Sequence, residues 1–305
     1  MGTPLHWLLF NLFVIAAITL DLAVFHRRPH KIATKEAVIW TLIWVSLTAA
    51  FGLSVLRYAG RQPALEFFTG YLIEKALSVD NLFLFLVIFR AFRVHENTQH
   101  RVLEWGILGA LLMRGLMIAA GAALIERFSW VLYLFGGFLV YAGLHMLFAN
   151  KEKVHPERGF VSRFASRHLR VLSDYRDHHF FLREGGKWFA TPLFLVLLVV
   201  EITDITLAVD SIPAIFGITR DPFIVYSSNV FAILGLRAMY FLLAGMLSRF
   251  RYLTVGLAFV LVFIGGKMIA EPWIHVPVQV ALSVVAGMLL VALVISLLSA
   301  PKPEK

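Results

Sequence analysis

Cysteine is absent from the 305-residue chain. Its absence excludes disulfide scaffolds, thiolate zinc sites, iron–sulfur clusters and cysteine nucleophiles. Charge is scarce: Asp, Glu, Lys and Arg make up 15% of the residues, against about 25% in an ordinary soluble domain. No Gly-rich loop with a following Lys-Ser/Thr occurs, which argues against ATP-driven pumping. No serine–histidine–acid arrangement stands out, so a non-enzymatic role is expected. Apolar and aromatic residues, by contrast, reach 59%, and mean hydropathy is +0.79. A soluble protein cannot hide that much apolar surface behind so few charges. An ordinary cytosolic enzyme, a disordered chain and a collagen-like fibre are thereby excluded.

A helix needs about 20 mostly apolar residues to cross a bilayer. Nine such runs are present: 5–25, 37–55, 67–89, 102–125, 130–148, 188–216, 223–247, 252–269 and 276–299. The expected fold is an all-α, multi-pass protein of the cell membrane, one integral domain over 1–305. The first run is a poor signal peptide: it lacks a basic leader and runs into Asp21 and then Arg27-Arg28. Basic residues set the orientation, because cytoplasmic loops collect Lys and Arg. Of 28 such residues, twenty lie in the odd-numbered gaps and tail and four in the even gaps. Discounting the nine in the long fifth gap still leaves eleven against four. The N-terminus is therefore expected outside and the C-terminus in the cytoplasm. The net charge of +9 is explained by topology, and no nucleic-acid partner is expected. His155, His168, His178 and His179 in gap five could collect metal, but a basic loop against anionic lipid accounts for them.

Charge inside a span is costly and usually faces a cavity or a partner. Span three holds Glu74, Lys75 and Asp80, span four Arg114, and span five His145. Span six holds Glu201, Asp204 and Asp210, span seven Arg237, and span eight Lys267. Those five acids and four bases leave about one negative charge if all are ionised. Buried ion pairs that fix helix register would account for Arg114 and Arg237, which are expected to face intramembrane carboxylates. They would leave acids over and would not explain the spacing.

The spacing repeats. Glu74-Lys75-Ala76-Leu77-Ser78-Val79-Asp80-Asn81 and Asp204-Ile205-Thr206-Leu207-Ala208-Val209-Asp210-Ser211 both read acid-x-x-Leu-x-Val-Asp-polar. Arg114 then matches Arg237, and Gly143-Leu144-His145-Met146 matches Gly265-Gly266-Lys267-Met268. The offsets are 130, 123 and 122. Spans three to five (67–149) and six to eight (188–270) are thus expected to be copies, joined by a basic cytoplasmic loop at 150–187. Three spans per copy make the copies inverted, a transporter architecture with its site near the midplane. Spans one, two and nine lie outside the repeat and are expected at the periphery. Pro213 predicts an interruption of span six beside Asp210, since proline cannot bond the Val209 carbonyl.

Glu74 and Asp80 lie about 120° apart on an ideal helix, so they would line two sides of a groove, or converge if the helix unwinds between them. With Ser78, Asn81, Thr206 and Ser211 nearby in sequence, such oxygens suit a hard divalent cation such as Mn²⁺ or Mg²⁺. The surplus of acid speaks against an oxyanion such as tellurite as the direct substrate. Met146 and Met268 could add a soft ligand, though packing is their ordinary role.

The segment Glu74–Asn81 resembles the first signature of the TerC family of integral membrane proteins. The run from Val200 to Leu243 resembles the second, including Ala208-Val209-Asp210-Ser211-Ile212-Pro213-Ala214-Ile215 and Ser228-Asn229-Val230-Phe231-Ala232-Ile233-Leu234-Gly235-Leu236-Arg237. The layout looks most like the Alx-type branch. The family is named for a tellurium-resistance cluster, and its better-supported activity is manganese export. The resemblance implies that Glu74, Asp80, Asp204 and Asp210 belong to a metal pathway. Lys75, Ser78, Asn81, Arg114, His145, Glu201, Thr206, Ser211, Asn229, Arg237 and Lys267 then line it or balance its charge. His145 departs from the family, where lysine is common. The implied function is secondary export of Mn²⁺ as the transported ion, with no permanent cofactor and with proton or potential coupling. A membrane-embedded metal-dependent hydrolase is an alternative. So is an accessory protein in metal or tellurite resistance or in metallation of exported proteins. Oligomeric state stays open.

Overall fold

The computed structural model describes residues 2–26, 34–148, 171–172, 179–184, 186–244 and 252–299. The first five runs are single helices: α1 (Pro4–His26), α2 (Thr34–Ala59), α3 (Arg61–Ala91), α4 (Glu96–Arg127) and α5 (Val131–Phe148). Gap five, where it is described, carries a two-stranded antiparallel hairpin, β1 (Phe181–Glu184) with β2 (Lys187–Ala190). Then follow α6 (Pro192–Phe216), α7 (Pro222–Ile233), α8 (Leu236–Ala244), α9 (Leu253–Ala270) and α10 (Val278–Leu298). Among the described residues, seven helices are long and apolar enough to span a membrane, and α7 with α8 counts as an eighth if taken as one bent span. The chain is an all-α polytopic membrane protein, with Leu12, Leu112, Leu134 and Leu290 among the large apolar side chains left more than half exposed for lipid.

Two expectations are corrected. The sixth run does not begin as a helix at Trp188: residues 188–190 are strand, Gly186 turns the hairpin at φ 78°, and Pro192 starts α6. Glycine permits that turn, and proline suits the first helical turn. Nor does Pro213 interrupt α6, which continues to Phe216. Only the last turn follows it, so a single backbone bond is forfeited. The interruption lies in run seven. Leu234 leaves helical geometry (ψ 129°), Gly235 adopts φ 81°, and α7 and α8 meet at a bend of 42°. A Cβ on Gly235 would stand 2.7 Å from the Trp44 ring, so glycine is required twice over.

α3 is the central helix and packs against α2, α6, α7, α9 and α10. Glu74, Lys75 and Asp80 keep it out of the seven apolar spans. α4 runs alongside α6 in the same direction, with Gly106 against Val200, Gly109 against Glu201 and Gly121 against Phe216. α3 and α7 are likewise parallel: Gly70 meets Ser228, and Lys75 reaches Ala232. α5 and α9 are antiparallel and very close. A Cβ on Gly136 would lie 2.9 Å from the Gly265 carbonyl, and one on Gly143 would lie 2.6 Å from the Ala258 carbonyl. α1 is the least buried span. α2 and α10 are less peripheral than expected, since both reach α3. An aromatic cluster joins α1, α2, α3 and α7, with Phe51 and Phe231 centroids 4.8 Å apart.

Candidate functional site

Arg114 projects from α4 between α3 and α6 and is 2% exposed. Its Nη1 pairs with Oε1 of Glu74, which is fully buried. Its Nε and Nη2 donate to the two carboxylate oxygens of Asp204 at 3.4 and 3.2 Å. One guanidinium thus ties together the first acids of the two repeated motifs. A guanidinium presents a fork of donors that suits two carboxylates at once. Two acids on one base leave an excess negative charge. Glu201 stands one turn before Asp204 on α6. It lies half-buried against Gly109, where a side chain on α4 would collide with its carboxylate.

The other predicted residues are distributed as follows. Ser78 and Asn81 are buried on α3. Ser211 on α6 and Asn229 on α7 are each 1% exposed. The Ser211 hydroxyl and both amide atoms of Asn229 have no hydrogen-bond partner among the described residues. Buried polar atoms left unpaired are costly, and oxygen donors of this kind fit a hard cation. Asp210 is half-buried on α6. Asp80 lies on α3, with its side chain outside the described residues. Among the described residues no three His, Asp or Glu side chains form a ready-made metal cluster. Thr206 is exposed and bonded back to the Ile202 carbonyl. His145 is also exposed and stacked on Tyr141. The gap-five histidines 155, 168 and 178 lie outside the described residues.

The two lysines bond to carbonyls at helix C-terminal ends, where the dipole favours a cation. Lys75 Nζ donates to Ala232 of α7 at 3.1 Å, and Lys267 Nζ donates to Gly217, just past α6, at 3.0 Å. Lys267 stands in a cleft of about 610 Å³ at the ends of α3, α6 and α9, with Glu66, Arg220, Glu271 and His275.

Arg237 faces carboxylates as expected, but not those that repeat symmetry would supply. Nη1 donates to Glu104 of α4 at 2.8 Å, and Nη2 reaches Asp21 of α1 at 3.0 Å. Sequence reasoning missed both acids. Each falls inside an apolar run, Glu104 in the fourth and Asp21 in the first, and that position was the available signal. With them, seven acids face four bases within the runs, and the surplus is about three.

A polytopic all-α bundle with arginine–carboxylate clusters buried between its helices is consistent with an ion-handling membrane protein. The model of the integral membrane protein TerC family matches residues 59–304. The chain belongs to that family. It is 51% identical over 298 residues to an uncharacterized membrane protein of Myxococcus xanthus, covering 98% of this chain and 93% of that one. It is 46% identical over 305 residues to Alx of Escherichia coli (strain K12), named as a candidate membrane-bound redox modulator, with 97% and 95% covered. A membrane protein of Rickettsia bellii is 36% identical over 292 residues, with 96% and 97% covered. No solved structure matches.

Proposed function

We propose that the protein is a secondary transporter that exports Mn²⁺ from the cytoplasm through an intramembrane carboxylate site. The observation that carries this reading is the Glu74–Arg114–Asp204 centre, where acids from the two motif copies meet on one buried cation with negative charge to spare. A cation arriving there competes with Arg114 for the carboxylates. Asp80 and Asp210 extend the acid path along α3 and α6, and Ser211 and Asn229 add neutral oxygens. The arginine lowers the charge of the site, so that a divalent ion is held without being trapped. Metal entry then displaces a proton or breaks an ion pair, which links export to proton movement.

The architecture in this reading has nine spans, α3 included, with the N-terminus outside. The repeats are α3–α5 and α6–α9, inverted about an axis in the membrane plane. Several contacts support it. Gly136 to Gly265 and Gly143 to Ala258 are the same contact seen from the two copies, since each residue maps onto the other pair at an offset of 122. The pairing of α3 with α7 mirrors that of α4 with α6. The relative directions of these pairs agree with alternating spans.

The name of the Escherichia coli relative points to redox balance. This chain has no cysteine, so a redox effect would arise through metal supply rather than through a thiol of its own. The deciding experiment is Mn²⁺ flux in sealed vesicles that contain only this protein. Uptake into inside-out vesicles is expected. Absence of flux, with the protein folded and correctly inserted, would favour the hydrolase or accessory alternatives.

A further inference from the structure

A groove of about 420 Å³ runs between α1 and α2 on the lipid side of the bundle. Phe223 and Phe231 of α7 form its floor, and Leu9 on its rim is 55% exposed. Rings bridge the helices around it: Phe10 lies 5.5 Å from Phe51 and Phe13 lies 5.8 Å from Phe231, centroid to centroid. The wall on α2 runs from Leu47 to Tyr58, about 16 Å at 1.5 Å per residue. That is the depth of one leaflet, half of a hydrocarbon core about 30 Å thick. The polar side chains of the lining gather at one end, His6 near the start of α1 and Ser54 and Tyr58 near the close of α2. Tyr58 is 88% exposed, whereas the Ser54 hydroxyl donates to the Phe51 carbonyl.

The same end breaks the sidedness of the basic residues. Between Ala37 and Leu65 the chain has two charged residues, Arg57 and Arg61. Both are exposed, and they are half of the basic residues in the even gaps. The acids nearby are engaged elsewhere. Glu66 accepts from Gln62 and Thr219, and Asp221 caps α7 through the Phe223 and Ile224 amides.

We propose that this groove binds one acyl chain of an anionic phospholipid, whose phosphate Arg57 and Arg61 hold at the mouth. An apolar slot at membrane depth does not hold water, and left empty it would forfeit dispersion contacts along its lining. Hydrocarbon is the solvent at hand. About 420 Å³ spread over about 16 Å leaves a cross-section of roughly 25 Å². One hydrocarbon chain fits that width, whereas a helix about 10–12 Å across does not, which sets aside a second copy of the chain. Guanidinium forks suit phosphate oxygens, and a tyrosine at the rim suits the membrane interface. The lipid joins α1 to the bundle. α1 is the least buried span, and near the groove its direct polar tie is the Tyr226 hydroxyl, which donates to Asn11 at 3.0 Å.

The test uses phosphatidylglycerol that carries a photoactivatable group midway along one acyl chain. It is mixed into phosphatidylcholine nanodiscs that hold the full-length protein. Irradiation should mark the chain around Phe10 of α1 and Phe51 of α2 in preference to the exposed faces at Leu134 of α5 and Leu290 of α10. Unlabelled phosphatidylglycerol should compete, and added phosphatidylcholine should not. Ala50 lines the groove and is exposed, so Ala50→Phe fills the slot without entering the core and should abolish the marking. Arg57→Gln and Arg61→Gln should each weaken binding about fivefold, the worth of one arginine at an anionic lipid surface. These two variants remove exposed charges and keep the fold, so the comparison does not hang on Ala50→Phe. Even marking of every lipid-facing helix, marking that Ala50→Phe leaves unchanged, or equal competition by the two lipids would overturn the proposal. So would arginine variants that bind as wild type does, or crosslinks between two copies that carry Ala50→Cys.

Discussion

Arg114 sets the energetics at the scale of single residues. Removing one partner of a buried ion pair costs about 3–5 kcal/mol, because the remaining charge stays buried. Arg114→Gln strands two carboxylates, so a lower Tm in detergent and reduced membrane levels are expected. Adding Glu74→Gln and Asp204→Asn should restore Tm but not transport. Equal stability of wild type and Arg114→Gln would show that the pairs contribute nothing. Asp80→Asn and Asp210→Asn keep shape and remove charge. Each should abolish the lowering of cytoplasmic manganese while the protein stays in the membrane, and wild-type efflux in both would make these aspartates register-fixing partners instead. That the two arginines would meet carboxylates was legible in the sequence, because a guanidinium in a bilayer cannot remain unpaired. Which carboxylates they meet was not. Arg237 finds Glu104 133 residues away, and only the bend at Gly235 aims it there. The exposure of His145 was equally hidden, since α5 is apolar on every side and its sequence does not say which face meets α9.

Close helix contact dominates at the scale of elements. Gly143→Ala pushes a methyl into the Ala258 carbonyl, and Gly136→Ala does the same at Gly265. Overpacking of this kind costs about 1–3 kcal/mol, to be read as a fall in Tm. Gly137, one residue on, has open space around it, so Gly137→Ala should leave Tm unchanged or raise it slightly through helix propensity. If Gly137→Ala and Gly136→Ala behave alike, the α5–α9 contact does not hold the bundle. The helices themselves were legible from apolar run length. The hairpin was not, because Trp188, Phe189 and Ala190 extend the apolar run and only Pro192 marks the true start of α6. The break was misplaced for a related reason: proline near the end of a helix removes little, whereas a glycine pressed against Trp44 redirects the chain.

The sidedness of the basic gaps becomes testable at the scale of the whole molecule. The chain contains no cysteine, so single-cysteine variants carry one label site each. Tyr58 is 88% exposed and Trp188 65% exposed, and the His275 side chain is 80% exposed. Tyr58→Cys and His275→Cys should react with an impermeant maleimide from outside the cell. Trp188→Cys should react only after permeabilisation. The reverse pattern would invert the orientation and with it the direction assigned to export. The recurrence of acid-x-x-Leu-x-Val-Asp-polar at 74–81 and 204–211 was legible in the sequence, and the first acids of both motifs, Glu74 and Asp204, meet on Arg114. The partners of Arg237 were not legible, since Asp21 comes from α1, outside either motif.

The polarity of α3 bears on how the chain is made. A Lys or Asp at the centre of an inserting helix costs about 2.5–3.5 kcal/mol each, and α3 carries Glu74, Lys75 and Asp80 within 31 residues. When α3 leaves the ribosome, Arg114 has yet to emerge from the exit tunnel, and Asp204 follows Arg114 by 90 residues. A lone α3 therefore has no reason to remain in lipid. The insertion machinery must shelter it until α4 supplies the guanidinium, which makes the α3–α4 pair, not the single helix, the unit of biogenesis. A nascent chain truncated before Arg114 should leave α3 extractable by alkali, whereas one that extends through α4 should retain it.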